Sequence, residues 1–150
     1  MGFGDSVKLS VAKMEKSLSD NILATTTDLF NTTVSLTPVA TNMTFKGLPA
    51  NPGELINNWY TGYGVGVSNT SYNHFAANIL GSDSYSRISE VAKSVEFIGK
   101  DSEISLTNST PYGFRAEYAG WPSPKWTGKS VPYGMVRNAL LQVAAKSKGK

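Results

Sequence analysis

The sequence predicts an α+β fold in one domain. Apolar residues repeat at helical spacing near the start, in the middle and near the end of the 150-residue chain. Two runs of strand formers, at about 55–68 and 103–108, lie between those stretches. All seven prolines fall in two remaining segments, 38–54 and 109–134, which read as loop. A chain of this length can bury one core. No internal repeat is visible, and the fragments on either side of the 38–54 loop are too small to fold alone.

Residues from about 5 to 34 form the first predicted helix. Val7, Val11, Met14, Leu18 and Ile22 recur at spacings of four, three, four and four, an apolar stripe along one helix face. Leu29 and Phe30 continue it less regularly, and Asp5 and Ser6 are candidates to cap its start. The threonines at 25–27 and 32–33 restrict χ1, so fraying or a bend is expected after about residue 24. Pro38 ends the helix by excluding Thr37 from the helical region. The 38–54 loop, with Pro38, Gly47, Pro49, Pro52 and Gly53, is long for a compact domain.

In the strand at 55–68, Tyr63, Val65 and Val67 alternate with Gly64, Gly66 and Ser68. A short helix is expected around Phe75 to Leu80. A second long helix fits 84–98, on the stripe Ile88, Val91, Ala92, Val95 and Ile98, with Gly99 as its stop. The final element, Met135 to Lys146, is expected to be a helix, with a strand as the alternative. Lys146, Lys148 and Lys150 mark a flexible, solvated tail at about 146–150.

Composition excludes several chemistries. There is no cysteine, hence no disulfide, thiolate site or cysteine nucleophile, and one histidine, His74. A net charge of +3 is too small for a dedicated nucleic-acid binder. No apolar run approaches the length of a membrane span. The first twenty residues lack a signal-peptide core, so the chain is expected to be made in the cytoplasm. The glycines at 62, 64 and 66 do not have phosphate-loop or dinucleotide spacing. No acidic pair stands at acid/base spacing, and a lone His74 in a polar stretch is expected to be a surface or hydrogen-bonding residue. Neither catalytic residues, a cofactor nor a metal is therefore expected.

The segment from Ser109 to Gly134 is unlike the rest, with six aromatics and four prolines in 26 residues. A tight loop filling the core would use about half of these rings. The others point to docking on a neighbouring subunit. Aromatics supply much of the binding energy at interfaces, and proline lowers the entropy lost on docking. Arg115 and Glu117 are candidates for polar contacts on that face.

The string Leu106-Thr-Asn-Ser-Thr-Pro111-Tyr112-Gly-Phe-Arg115-Ala-Glu117-Tyr118-Ala-Gly-Trp121 resembles the neck, or tail-completion, family of head–tail joining proteins of tailed bacteriophages. Val131-Pro-Tyr133-Gly-Met135-Val-Arg137 is similar to that family's Ala-Pro-Ala-Gly-Met-Val-Arg, with Tyr133 in place of a small residue. Leu36-Thr-Pro-Val-Ala-Thr41 resembles its Ser/Thr-Pro-Val-Asp-Thr-Gly, and Asn57-Asn58-Trp59 resembles the Asn-Trp that follows. The four motifs stand in the family's order. About a dozen extra residues separate the second pair.

The resemblance implies a long N-terminal helix on a small curved, mainly antiparallel sheet, with a second helix and a C-terminal element. It implies a subunit of a ring of six or twelve copies at the head–tail junction of the virion. Such a ring would contact a portal or adaptor above and tail tube or other tail proteins below, with genomic DNA passing through unread. A tail-terminator or minor tail protein, or an unrelated protein-binding module, are the alternatives; a membrane partner is not expected. The candidate interface residues are Trp59, Pro111, Tyr112, Arg115, Glu117, Tyr118, Trp121, Trp126, Tyr133, Met135 and Arg137. The 38–54 loop and the N-terminal turn are expected to order on assembly.

Overall fold

The computed structural model describes residues 2–39, 44–45, 48–49, 52–64, 69–74, 78–94, 103–111, 113–119 and 134–149, without the side chains at 44, 45, 48, 49, 115 and 119. It is an α+β fold. Helix α1 spans Phe3–Leu36 and is followed by a hairpin of β1 (Thr44–Phe45) and β2 (Leu48–Pro49). A single helical turn, α2 (Glu54–Asn57), leads into β3 (Trp59–Tyr63). Next come α3 (Ser82–Ser94), β4 (Ile104–Asn108), a π-helical turn at Arg115–Ala119 and α4 (Met135–Lys148). Strands β3 and β4 pair antiparallel, from Trp59 opposite Asn108 to Tyr63 opposite Ile104.

Helix α1 runs 34 residues without the fraying expected after residue 24. Near its C-terminal end Thr33 and the C-cap Thr37 are held by hydroxyl bonds to the preceding turn and by packing. Thr33 Oγ1 donates to the Leu29 carbonyl at 2.9 Å, and Thr37 Oγ1 to the Thr33 carbonyl at 2.8 Å. Burial of Phe30 and Val34 beside them outweighs a weak propensity. Thr37 leaves the helix at φ −67, ψ 125, as the proline after it requires. At the other end the cap differs from expectation. Gly2 is the N-cap, and Asp5 acts from within the first turn, accepting the Gly2 N–H at 3.2 Å.

The stripe that announced this helix does not face the core. Val7, Val11, Met14, Leu18 and Ile22 are 39–71 % exposed, and Phe3, one turn before them, is 88 % exposed. The core face of α1 is set by Phe30, Thr33 and Val34, about 100° around the helix from the stripe at 100° per residue. The C-terminal part of α1 packs against α3 and α4; residues 2–22 project with their side chains exposed, except Ser19, which is buried.

The core gathers Phe30 and Val34 of α1, Leu55 and Ile56 of α2, Trp59 of β3, Ile88 of α3, Ala116 and Met135. The strand expected from residue 55 begins at 59, because 54–57 close into a helical turn. Asn57 Nδ2 donates to the Gly53 carbonyl and Asn58 Nδ2 to the Glu54 carbonyl, which competes with an extended chain. Residues 65–68 of that strand lie outside the described residues. So do 75–77 of the short helix expected at Phe75–Leu80; Ile79 and Leu80 form a turn. The second helix is described to Ser94, and its predicted stop at Gly99 is not among the described residues. The loop expected at 38–54 holds the β1–β2 hairpin. The last element is a helix to Lys148, so the predicted tail is mostly structured, and Lys146 Nζ pairs with Asp28 at 3.1 Å. Helix α4 therefore runs antiparallel to α1, with Met135 in the core cluster that holds Phe30 and Val34 and Lys146 beside Asp28.

Gly81 precedes α3 at φ +74, where a Cβ would stand 2.8 Å from Ile56 Cγ1. Gly4, in the exposed first turn of α1, has open space around a Cβ. Gly81→Ala is thus expected to destabilise the fold by about 1–3 kcal/mol, through backbone strain and overpacking. Gly4→Ala is expected to raise local helix stability by about 0.5–1 kcal/mol. Urea midpoints for both variants, with helix content by circular dichroism, check the pair.

Candidate functional site

The two motifs that carry the resemblance meet in space. Gly134 takes the left-handed conformation, φ 52, ψ 56, and has no side chain to cap α4. The first-turn N–H groups of α4 would be left open. Glu117, from the π-helical turn, supplies the missing acceptor. Its Oε2 takes the Val136 N–H at 2.9 Å, and its Oε1 takes the Arg137 N–H at 3.4 Å. Oε1 also accepts from Arg137 Nε at 3.2 Å, and Arg137 Nη2 donates to the Glu117 carbonyl oxygen. The Gly134 N–H donates to that same carbonyl at 3.0 Å. A carboxylate at a helix N-terminus is favoured by the peptide dipoles, and here an arginine adds to that field. The Glu117 side chain is buried and that of Arg137 is largely exposed.

This clamp presents a surface. The Arg137 guanidinium lies 5.0 Å from the centre of the Tyr118 ring, and Tyr118 and Phe114 stack at 4.8 Å, tilted by 40°. Phe114 is 73 % and Tyr118 57 % exposed, which is unusual for neighbouring large rings. A cleft of about 240 Å³ opens beside them, lined by Trp59, Asn108, Gly113, Phe114, Met135 and Val136, with Glu117 at its wall. Pro111 is exposed at the turn before it. Asn108, at the end of β4, shapes that turn, its Oδ1 accepting from Thr110 N at 3.1 Å and Thr110 Oγ1 at 2.7 Å.

The residues expected at an interface therefore divide. Tyr118, Arg137 and Pro111 are on the surface, and Phe114 and Val136 join them. Trp59 and Met135, at 5 % and 2 % exposure, lie inside the subunit, and Glu117 at 6 % acts from inside it. Their place in the core is set by apolar packing, and Trp59 also donates its indole N–H to Thr37 Oγ1 at 2.8 Å. Tyr112, Trp121, Trp126 and Tyr133 lie outside the described residues, as does the side chain of Arg115. The Glu117–Arg137 pairing was visible in the sequence only as two opposite charges in neighbouring motifs. The side-chain-free Gly134 ahead of a helix was the signal that a remote cap was needed.

A second cluster lies elsewhere. The buried Glu54 carboxylate meets exposed His74, with Oε1 2.8 Å from Nδ1, and Tyr72 Oη is 3.1 Å from the same nitrogen. Asn58 exchanges two hydrogen bonds with the Asn73 backbone, and Asn57 Nδ2 reaches the Asn78 carbonyl. Together they fasten segments 69–74 and 78–80 onto α2. Among the described residues no group of three or more His, Asp or Glu is placed to hold a metal, and no helix is long and apolar enough to cross a membrane.

Replacing Glu117 by alanine is expected to cost about 1–3 kcal/mol, since it strips two part-buried N–H groups of their acceptor. Arg137→Ala, at the exposed end of the pair, is expected to cost less than about 1 kcal/mol. Chemical denaturation of both variants checks the order, and hydrogen exchange in the first turn of α4 should quicken most for Glu117→Ala. No protein-family model, curated protein or solved structure matches this chain.

Proposed function

We propose that this chain is a structural subunit of a ring at the head–tail junction of a tailed bacteriophage. In that role it links a portal or adaptor to the tail, and DNA passes through the ring without sequence recognition. The observation that carries the proposal is the meeting of Glu117 with Arg137. Each belongs to one of the two most specific resembling motifs, and their contact gives both motifs one physical purpose. The purpose is to start α4 and to hold Tyr118 and Arg137 outward beside Phe114.

A ring subunit must offer two different faces to its neighbours, because its contacts are heterologous. The Phe114–Tyr118–Arg137 surface is suited to be one of them. Exposed aromatic and arginine side chains around a shallow cleft have the composition of an interface centre. The Glu117–Arg137 pair satisfies itself, so the surface offers contact rather than catalysis. The net charge of +3 suits a lumen that tolerates DNA without gripping it.

Electron microscopy of virions labelled with an antibody to this chain tests the assignment. Label is expected at the head–tail junction, and Phe114→Ala with Tyr118→Ala is expected to yield folded chain that no longer enters virions. Label along or at the end of the tail would move the protein to a tail-terminator or minor tail role. Absence of the protein from virions by mass spectrometry would leave a protein-binding module instead.

A further inference from the structure

We propose that two copies of this chain pair through the projecting parts of α1, antiparallel and about a two-fold axis. The inference stands apart from the head–tail reading and uses none of its residues. The projecting part, residues 3–22, is about 30 Å long at 1.5 Å per residue. The apolar stripe along it is Phe3, Val7, Val11, Met14, Leu18 and Ile22, all exposed, and Leu9 is exposed on the opposite face. Their spacings are four, four, three, four and four, the same read from either end. Two such helices laid antiparallel therefore match residue for residue. Phe3 meets the partner's Ile22, Val7 the partner's Leu18, and Val11 the partner's Met14. The two inner pairings set a smaller chain against a larger one, which fills a seam evenly.

Continuity with an interface already present points the same way. Helix α4 lies antiparallel along α1: Lys146 pairs with Asp28, and Asn21, Thr25 and Asp28 line a cleft between the two helices with Val143, Lys146 and Ser147. Those α1 positions continue the stripe at heptad spacing: Val11, Leu18, Thr25 and Met14, Asn21, Asp28. α4 ends at Lys148, beside the point where the stripe becomes bare. A partner helix running antiparallel to α1 takes up the line where α4 stops.

Charge decides the orientation and the partner. Lys8 and Glu15 sit on the same flank of the stripe. In the antiparallel pair Lys8 comes level with the partner's Glu15 to within about 3 Å along the axis, and the converse pair forms by symmetry. The other flank carries Ser10 and Ser17, small and uncharged. A parallel pair would set Lys8 against Phe3 and Glu15 against Ser10, and would form neither ion pair. The side chains of 3–22 carry Lys8, Lys13 and Lys16 against Asp5, Glu15 and Asp20, hence no net charge to draw the stripe to an anionic lipid surface. An isologous contact is closed, so it stops at two copies.

The native chain has no cysteine, so single cysteines report pairing cleanly. An equimolar mixture of Val7→Cys and Leu18→Cys chains is expected to form a disulfide-linked heterodimer under mild oxidation, and neither chain alone is expected to do so. Lys8→Glu is expected to raise the dimer dissociation constant roughly tenfold by sedimentation, and adding Glu15→Lys to return it to near the native value. All these positions are exposed, and unchanged circular dichroism would show that the fold is kept. Cross-linking of Val7→Cys with itself would overturn the antiparallel pairing. A native chain that sediments as a monomer at every concentration would overturn the pairing altogether. So would a stripe that binds neutral or anionic vesicles in preference to a second copy.

Discussion

The hydrogen bond from the Trp59 indole to the Thr37 hydroxyl ties the fold together. A buried tryptophan carries one donor that must find a partner. Here the partner is the residue that ends α1, and its hydroxyl in turn donates to the Thr33 carbonyl. The backbone of Trp59 is fixed separately. Its N–H donates to Ser84 Oγ at 3.1 Å, and Arg87 Nη1 donates to its carbonyl at 3.2 Å. On the strand side Trp59 pairs in register with Asn108, whose Nδ2 donates to the Leu55 carbonyl at 2.9 Å. One residue thus sets the relative positions of α1, α3, β3 and β4, and where α1 is released to project.

The interior around this point is more polar than a small domain usually allows. Glu54, Asn57, Asn58 and Ser84 are buried next to Leu55, Ile56 and Ile88. Such groups are costly unless each finds a partner. Each does: Ser84 Oγ donates to the Ile56 carbonyl, Arg87 to the Asn57 carbonyl, and Asn57 Oδ1 accepts from Asp83 N. A network of this kind admits few alternative packings. It also explains how two outer features keep fixed directions. Glu117 and Met135 anchor α4 to the same core, so Tyr118 and Arg137 are held outward. The C-terminal part of α1 is held in the core, and its projecting part continues the same helix.

The existence and type of most elements were legible in the sequence. Val7 to Ile22 announced a helix, Ile88 and Val91 a second, and Glu103 to Asn108 a strand. What the spacing could not say was which neighbour a stripe meets. A repeat of four and three is the same physical statement whether the partner is the chain's own core or another molecule. The burial of Phe30, Thr33 and Val34, on a different face, depends on β3 and α3, which are distant in sequence. The threonine run was read as a weakness because propensity is local; tertiary packing and hydroxyl bonds to the preceding turn overrode it. Likewise Asn57-Asn58-Trp59 reads as the approach to a strand, yet two side-chain amides closing on Gly53 and Glu54 make the first part helical. For the candidate site, the residues of the two motifs were named but not their division of labour. Burial sends Trp59, Met135 and Glu117 inward and leaves Tyr118 and Arg137 outside, and no pattern in the local sequence encodes that split.

The central claim is that the Trp59–Thr37 contact couples the end of α1 to the strand. A double-mutant cycle on stability, with Trp59→Phe, Thr37→Val and the two combined, measures it directly. The fold described here predicts a coupling of about 1 kcal/mol, since Thr37→Val takes the acceptor from the buried Trp59 indole N–H, whereas in Trp59→Phe the Thr37 hydroxyl keeps its bond to the Thr33 carbonyl. Additivity to within about 0.3 kcal/mol would contradict it and would show that α1 is held by apolar packing alone.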